Sequence, residues 1–67
     1  MLKENLARNL KHHRERCKIT QVELAKETGF HVSYISMLER GIRSPPLDTV
    51  EALALSLALS PLALLKD

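Results

Sequence analysis

The sequence predicts an all-α fold, and three observations carry that expectation. Aliphatic residues dominate the apolar fraction while aromatics make up only 3% (Phe30, Tyr34, no Trp), and Leu and Ala suit close-packed helices better than a sheet. Leu2, Leu6 and Leu10, continued by His13 and Cys17, recur at steps of four and three, which is the period of an amphipathic helix. Thr20 followed by Glu23, and Ser60 followed by Pro61, are both helix-start signals.

A length of 67 residues permits one domain, 1–67, in which a single modest core must suffice. It leaves no room for a separate catalytic domain. The first helix is expected from Leu2 to Arg16, with Lys3, Arg8, Lys11 and Arg16 on its other faces. Thr20 and Glu23 can form a capping box, so the second helix begins at Gln21; it ends at Thr28, because Gly29 takes the left-handed conformation without a Cβ clash. A third pattern starts at Val32, with Ile35 and Leu38 as its buried pair and Gly41 as its stop. Helices this short are marginal in water and must be held by packing.

Arg43, Ser44, Pro45 and Pro46 form a loop, since consecutive prolines remove amide donors and hold the preceding residues extended. The next stretch is ambiguous. Leu53, Leu55, Leu57 and Leu59 alternate at strand period, whereas Val50, Leu53, Ala54 and Leu57 fall at helix spacing. The filler is alanine rather than β-branched residues, which favours a helix over 48–57. Ser60 and Pro61 then open a fifth helix over 61–66. The apolar run from Ala52 to Leu65 is 14 residues long and is interrupted by Ser56, Ser60 and Pro61. About 20 are needed to span a bilayer, so no membrane association is expected.

The formal net charge is only +2, but it is unevenly divided. Residues 1–46 carry nine Lys and Arg against five Glu, and residues 47–67 carry one Lys against three acids. A basic body with an apolar end points to a polyanionic partner. One cysteine, Cys17, permits no intramolecular disulfide, and the chain opens without a charged-then-apolar leader, so a cytoplasmic protein is expected.

Two helices joined by a short turn containing Gly29 make the geometry of a helix-turn-helix over 21–40. In that geometry the second helix enters the major groove of DNA and the first crosses the backbone. Leu24 and Ala25 face inward, Ala25 being small enough to let the next helix approach, and Ile35 and Leu38 anchor that helix from below. Its outer face is left free for a ligand.

The runs ITQVELAKETGF, SYISMLERG, RSPPLDTVEALA and LSPLALL resemble the Cro- and repressor-type (XRE-like) helix-turn-helix family over nearly the whole chain, from Leu6 to Leu65. The resemblance implies a compact five-helix bundle of the lambda-repressor-like DNA-binding type, and sequence-specific binding of duplex operators as a homodimer. Three positions depart from the family pattern. His31 stands at the recognition-helix cap in place of Ser, Thr or Asp, which should weaken that cap. Val32 stands where a polar base-reading side chain is common and can give only apolar contact, as with a thymine methyl. Ala58 replaces the glycine usual at the end of the fourth helix, which should strain that turn.

Val32, Ser33, Ser36 and Met37 are the side chains placed to meet base edges, and Tyr34 to reach a phosphate or an adjacent base. A purely solvated face would normally carry Lys and Glu, and the first turn of this helix has neither. Gln21 opens the second helix, whose free amides can hold a phosphate; the family's equivalent glutamine does this and also braces the recognition helix. Arg40, Arg43 and Ser44 follow the recognition helix and would clamp neighbouring phosphates, with surface solubility as the alternative role for Arg43. The resemblance implies a structural ion pair between Arg14 and Glu39; an acid facing DNA would in any case repel phosphate.

His12, His13 and Cys17 cluster, but two ligands on one helical face do not make a metal site, so His13 and Cys17 are expected to be partly buried core residues and His12 exposed. No nucleophile with a base partner, phosphate loop or pair of carboxylates is present, so no catalysis and no cofactor are expected.

Once Val50, Leu53 and Leu57 are spent on the core, Leu55, Leu59, Leu62, Leu64 and Leu65 remain as a surplus. A two-fold interface through Leu59, Leu62 and Leu65 would use it, placing two recognition helices about 34 Å apart, one turn of duplex. The expected function is a homodimeric transcriptional regulator, a repressor of a pseudo-palindromic double-stranded operator, controlled by its own concentration or a partner rather than by a small ligand. The alternatives are a protein-interaction module, with Val32, Tyr34 and Met37 as its apolar patch, and the N-terminal domain of a longer regulator.

Overall fold

Residues 2–67 are described by the computed structural model. They form α1 (Leu2–Arg16), α2 (Gln21–Thr28), α3 (Val32–Glu39), α4 (Leu47–Ser56) and α5 (Pro61–Leu65), with no strand among them. The helix alternative for the Leu/Ala stretch therefore holds. In a strand, Leu53, Leu55 and Leu57 would share a face; here Leu53 and Leu57 are buried at 0% and 4% exposure while Leu55 is 82% exposed. α4 starts one residue before and stops one residue short of the expected 48–57, and α5 ends at Leu65.

The core is a single aliphatic cluster fed by every helix: Leu6 and Leu10 of α1, Leu24 of α2, Ile35 and Leu38 of α3, Leu53 of α4 and Leu64 of α5. α1 runs beneath α3 and α5, α2 packs on α3 and α4, and α4 closes against α5. Each fully buried aliphatic side chain contributes about 1.5–3 kcal/mol relative to leaving it in water. Two expectations fail at the edges of this cluster. Leu64, counted above as surplus, is completely buried, while Cys17, expected in the core, is exposed. Cys17 lies beyond the last residue of α1, where the chain is already turning away.

Helix ends explain how so short a chain reverses direction four times. The capping box of α2 forms: the Thr20 hydroxyl accepts the Glu23 amide at 3.0 Å and the Glu23 carboxylate accepts the Thr20 amide at 2.7 Å. Gly29 closes α2 at φ 80°. Three other helices end in one and the same way. After α1, α3 and α4, a left-handed residue (Lys18, Gly41, Ala58) is followed by an amide reaching back five residues: Ile19 to Arg14 (3.4 Å), Ile42 to Met37 (3.1 Å) and Leu59 to Ala54 (2.8 Å). This double-bonded stop normally takes glycine at the left-handed position. Lys18 and Ala58, both at φ 58°, carry a Cβ there, so the strain expected at Ala58 is present and recurs at Lys18.

The end of α5 is held by α1 rather than by its own sequence. Asn5 donates to the Leu65 carbonyl at 3.3 Å and to the Asp67 carboxylate at 2.9 Å; Asn9 donates to the carbonyls of Leu64 (3.1 Å) and Lys66 (2.7 Å). These amides satisfy terminal carbonyls that a five-residue helix cannot satisfy itself. Among the described residues, no helix is long and apolar enough to cross a membrane.

Candidate nucleic-acid interface

α2 and α3 are joined by Gly29, Phe30 and His31, and α3 is pinned by Ile35 and Leu38, both at 0% exposure. Pinning one side of a two-turn helix leaves its opposite side at the surface. There Ser33 is exposed, and Val32, Tyr34, Ser36 and Met37 are half-buried. Val32 and Tyr34 also pack in part against the core, so the apolar character of this face serves packing as well as contact.

Glu39, at the end of α3, organises the scaffold behind that face. Arg14 of α1 grips its carboxylate with two bonds, Nε to Oε2 at 2.6 Å and Nη2 to Oε1 at 3.0 Å, and spends Nη1 on the Ile19 carbonyl at 2.9 Å. Gln21 of α2 donates to the same Oε1 at 3.1 Å. One carboxylate thus ties three helices together, with its side chain 4% exposed and that of Arg14 11% exposed. The bond to Glu39 is the main reason the Arg14 guanidinium is held above its ordinary range, against the opposing effect of burial. Gln21 braces Glu39 through one of its two amide hydrogens, and the first amides of α2 stand beside it at the helix start, where a phosphate can be met.

The N-terminus of α3 carries an unusual cap. His31 Nδ1 accepts the Ser33 amide at 3.1 Å and lies 2.8 Å from the Ser33 hydroxyl. The imidazole therefore satisfies an orphan donor as a serine or aspartate would, which the residue type alone did not suggest. Phe30 meets Tyr34 edge-on, with centroids 5.4 Å apart, and the Arg43 guanidinium stands 5.9 Å from the Tyr34 ring centre. Tyr34 is consequently a platform that orients Arg43. Arg40, Arg43 and Ser44 follow α3 in the chain and are all exposed, with Arg40 Nε 3.4 Å from the Ser36 carbonyl and Ser44 lining a shallow pocket with Leu2 and Lys3 of α1.

The remaining candidates lie elsewhere. His12 is exposed and meets the half-buried His13 ring to ring at 5.2 Å. Burial first, then the charges of His12, Arg16 and Lys66, hold the His13 imidazole below its ordinary value. No group of three or more His, Cys, Asp or Glu side chains among the described residues is arranged to hold a metal ion. Leu62 is 71% exposed, whereas Leu59 and Leu65 are half-buried against the core. Of the three leucines expected at a two-fold interface, Leu62 alone is largely free, with Leu55 of α4 as a further exposed leucine.

Comparison with known proteins places this geometry. The helix-turn-helix family model HTH_3 matches residues 10–64. The structure superposes on the hypothetical transcription factor NHTF from Neisseria with a TM-score of 0.94 and 30% identity, covering 98% of this chain and 76% of that one. It superposes on the restriction-modification controller protein C.AhdI from Aeromonas hydrophila with a TM-score of 0.88 and 29% identity, covering 92% and 94%. The clp gene regulator ClgR from Corynebacterium glutamicum is similar at a TM-score of 0.91 and 26% identity, covering 96% and 68%. No curated protein matches the chain by sequence. A matched family model over most of the chain and a five-helix frame shared with several regulators lead to one conclusion: the chain belongs to the HTH_3 (XRE-type) helix-turn-helix family and is a DNA-binding transcription regulator, not an enzyme.

Proposed function

We propose that the protein is a homodimeric repressor that occupies a pseudo-palindromic operator and blocks access of polymerase. Val32, Ser33, Ser36 and Met37 meet the bases, while Gln21 with the α2 amides, Tyr34, Arg40, Arg43 and Ser44 hold the backbone. The observation that supports the dimer is the pair of most exposed leucines, carried by the last two helices. Leu62 of α5 and Leu55 of α4 are exposed at 71% and 82%. Leucines that far in water find a use when a second copy covers them. Leu59 and Leu65, half-buried, would form the floor of that contact around Leu62.

The likeness to a restriction-modification controller and to other regulators supports a regulatory role but not its sign. Repression is proposed because occupancy of an operator by a DNA-binding fold is by itself sufficient to exclude polymerase.

The test is selection of random duplexes by the purified protein at two salt concentrations, with sedimentation of the free protein beside it. The expected result is a palindrome with half-sites about 10 base pairs apart, affinity that falls steeply with salt, and a dimer that Leu62→Asp converts to monomer. Recovery of no motif at either salt overturns operator binding and moves the weight to a protein-interaction module, with Val32, Tyr34 and Met37 as its patch. A monomer at tens of micromolar overturns the dimer.

A further inference from the structure

The cap of α3 fixes more than a helix end. A ring nitrogen that accepts the Ser33 amide carries no hydrogen, so the imidazole proton of His31 resides on Nε2. It follows that the 2.8 Å contact between the Ser33 hydroxyl and the same Nδ1 has the hydroxyl as donor. The Ser33 proton is thereby committed, and its oxygen is left as an acceptor only. The other ring nitrogen makes no hydrogen bond among the described residues, and both residues are exposed at the start of α3. The chain thus presents, side by side, a fixed donor and a fixed acceptor where a lone serine would present a rotor that can do either.

We propose that His31 is a specificity-determining residue as well as a cap: it offers Nε2–H to an acceptor on the duplex and, by holding the Ser33 proton, makes Ser33 read an exocyclic amino group. The inference rests on the operator-binding reading above. In the major groove those amino groups are N6 of adenine and N4 of cytosine, and the acceptors open to Nε2–H are N7 and O6 of guanine, N7 of adenine and O4 of thymine, or a phosphate oxygen. A free serine hydroxyl would accept or donate and so discriminate little between an amino group and a carbonyl. The lock imposed by His31 is what turns Ser33 into a reader.

The decisive variant is His31→Ser, because serine is a preferred cap and preserves the end of the helix while removing both Nε2–H and the lock on Ser33. Ser33→Ala is its partner, removing the acceptor while keeping the backbone amide that His31 caps. Random-duplex selection, melting temperature and affinity are measured for both and for the wild type. The expected result is a His31→Ser protein that melts no lower than wild type, binds the selected operator about tenfold more weakly, and loses preference at the half-site position that Ser33→Ala also relaxes. At that position, replacing adenine by purine, or cytosine by its 4-deamino analogue, weakens the wild type and leaves Ser33→Ala unaffected.

If His31→Ser selects the wild-type motif with wild-type affinity, the histidine is a cap alone and the proposal is overturned. It is equally overturned if amino deletion has no effect on the wild type. A wild type that selects no motif at all removes the operator-binding reading and this one with it, so the two failures are distinguishable.

Discussion

Replacement of Arg14 by methionine removes three bonds at once: two to Glu39 at 2.6 and 3.0 Å, and one to the Ile19 carbonyl at 2.9 Å. Methionine fills similar space, so the perturbation is electrostatic rather than a cavity. The carboxylate left behind is 4% exposed and keeps only the Gln21 amide at 3.1 Å. Removing one partner of a buried pair costs about 3–5 kcal/mol. A domain of 67 residues, at about 0.05–0.15 kcal/mol per residue, has only about 3–10 kcal/mol in total. The single substitution should therefore lower the melting temperature by more than about 12 °C, and at the lower end of that range it leaves the chain unfolded at room temperature. Urea and thermal denaturation followed by far-ultraviolet circular dichroism measure this directly. Glu39→Met added to Arg14→Met removes the stranded charge as well and should recover at least about 1.5 kcal/mol, because what remains unpaired is the Ile19 carbonyl and the Gln21 amide. A loss below about 1 kcal/mol for Arg14→Met, or a double variant no more stable than the single one, would refute the view that Glu39 is a buried tie between three helices.

Three further outcomes follow from particular residues. Ala58→Gly should stabilise by about 0.5–1 kcal/mol, since relief of a left-handed Cβ worth about 1–2 kcal/mol exceeds the entropy glycine adds to the unfolded chain. Lys18→Gly should behave alike, and lower denaturation midpoints in both would show that neither turn is strained. His13, held below the ordinary imidazole value of 6.5 chiefly by burial, binds its proton more readily in the unfolded chain. Stability should accordingly fall as pH drops below about 6.5, reaching its full loss only below the folded value, and His13→Gln should flatten that part of the curve. Equal pH profiles for the two proteins would count against it. Arg43→Ala should weaken operator binding evenly across sequences and reduce the salt slope by about one, with the slope unchanged if Arg43 serves solubility alone.

Local chemistry made much of this fold legible. Thr20 with Glu23, Gly29 and Gly41 each constrain only residues within a few positions and so mark helix ends locally, and Pro61 does the same for the start of α5, where the Ser60 side chain makes no cap bond. The phase of α5 was not legible, because five residues make barely more than one turn and periodicity cannot distinguish Leu64 from Leu65 as the inward side chain. Asn5 and Asn9 decide it by gripping carbonyls of residues 64 to 66 from across the fold. Cys17 departs from expectation for the complementary reason: the apolar spacing of α1 continues past Arg16, while the helix itself ends there and the chain turns at Lys18.

The exposed face of α3 divides along the same line. Sequence by itself determined that two short helices meet at Gly29 with Ile35 and Leu38 inward and Ser33 exposed, since each statement needs only helical geometry, whereas the packing of Val32 against the core was not readable from it. The resemblance already implied the Arg14–Glu39 pair and a bracing glutamine; only the tertiary structure decided that Arg14 and Gln21 share one carboxylate oxygen of Glu39, that Arg43 stands over Tyr34, and that the Ser33 amide and hydroxyl both meet His31 Nδ1. Those depend on where side chains from different elements meet and on which atom of a histidine is left without a hydrogen, and no spacing along a chain records either.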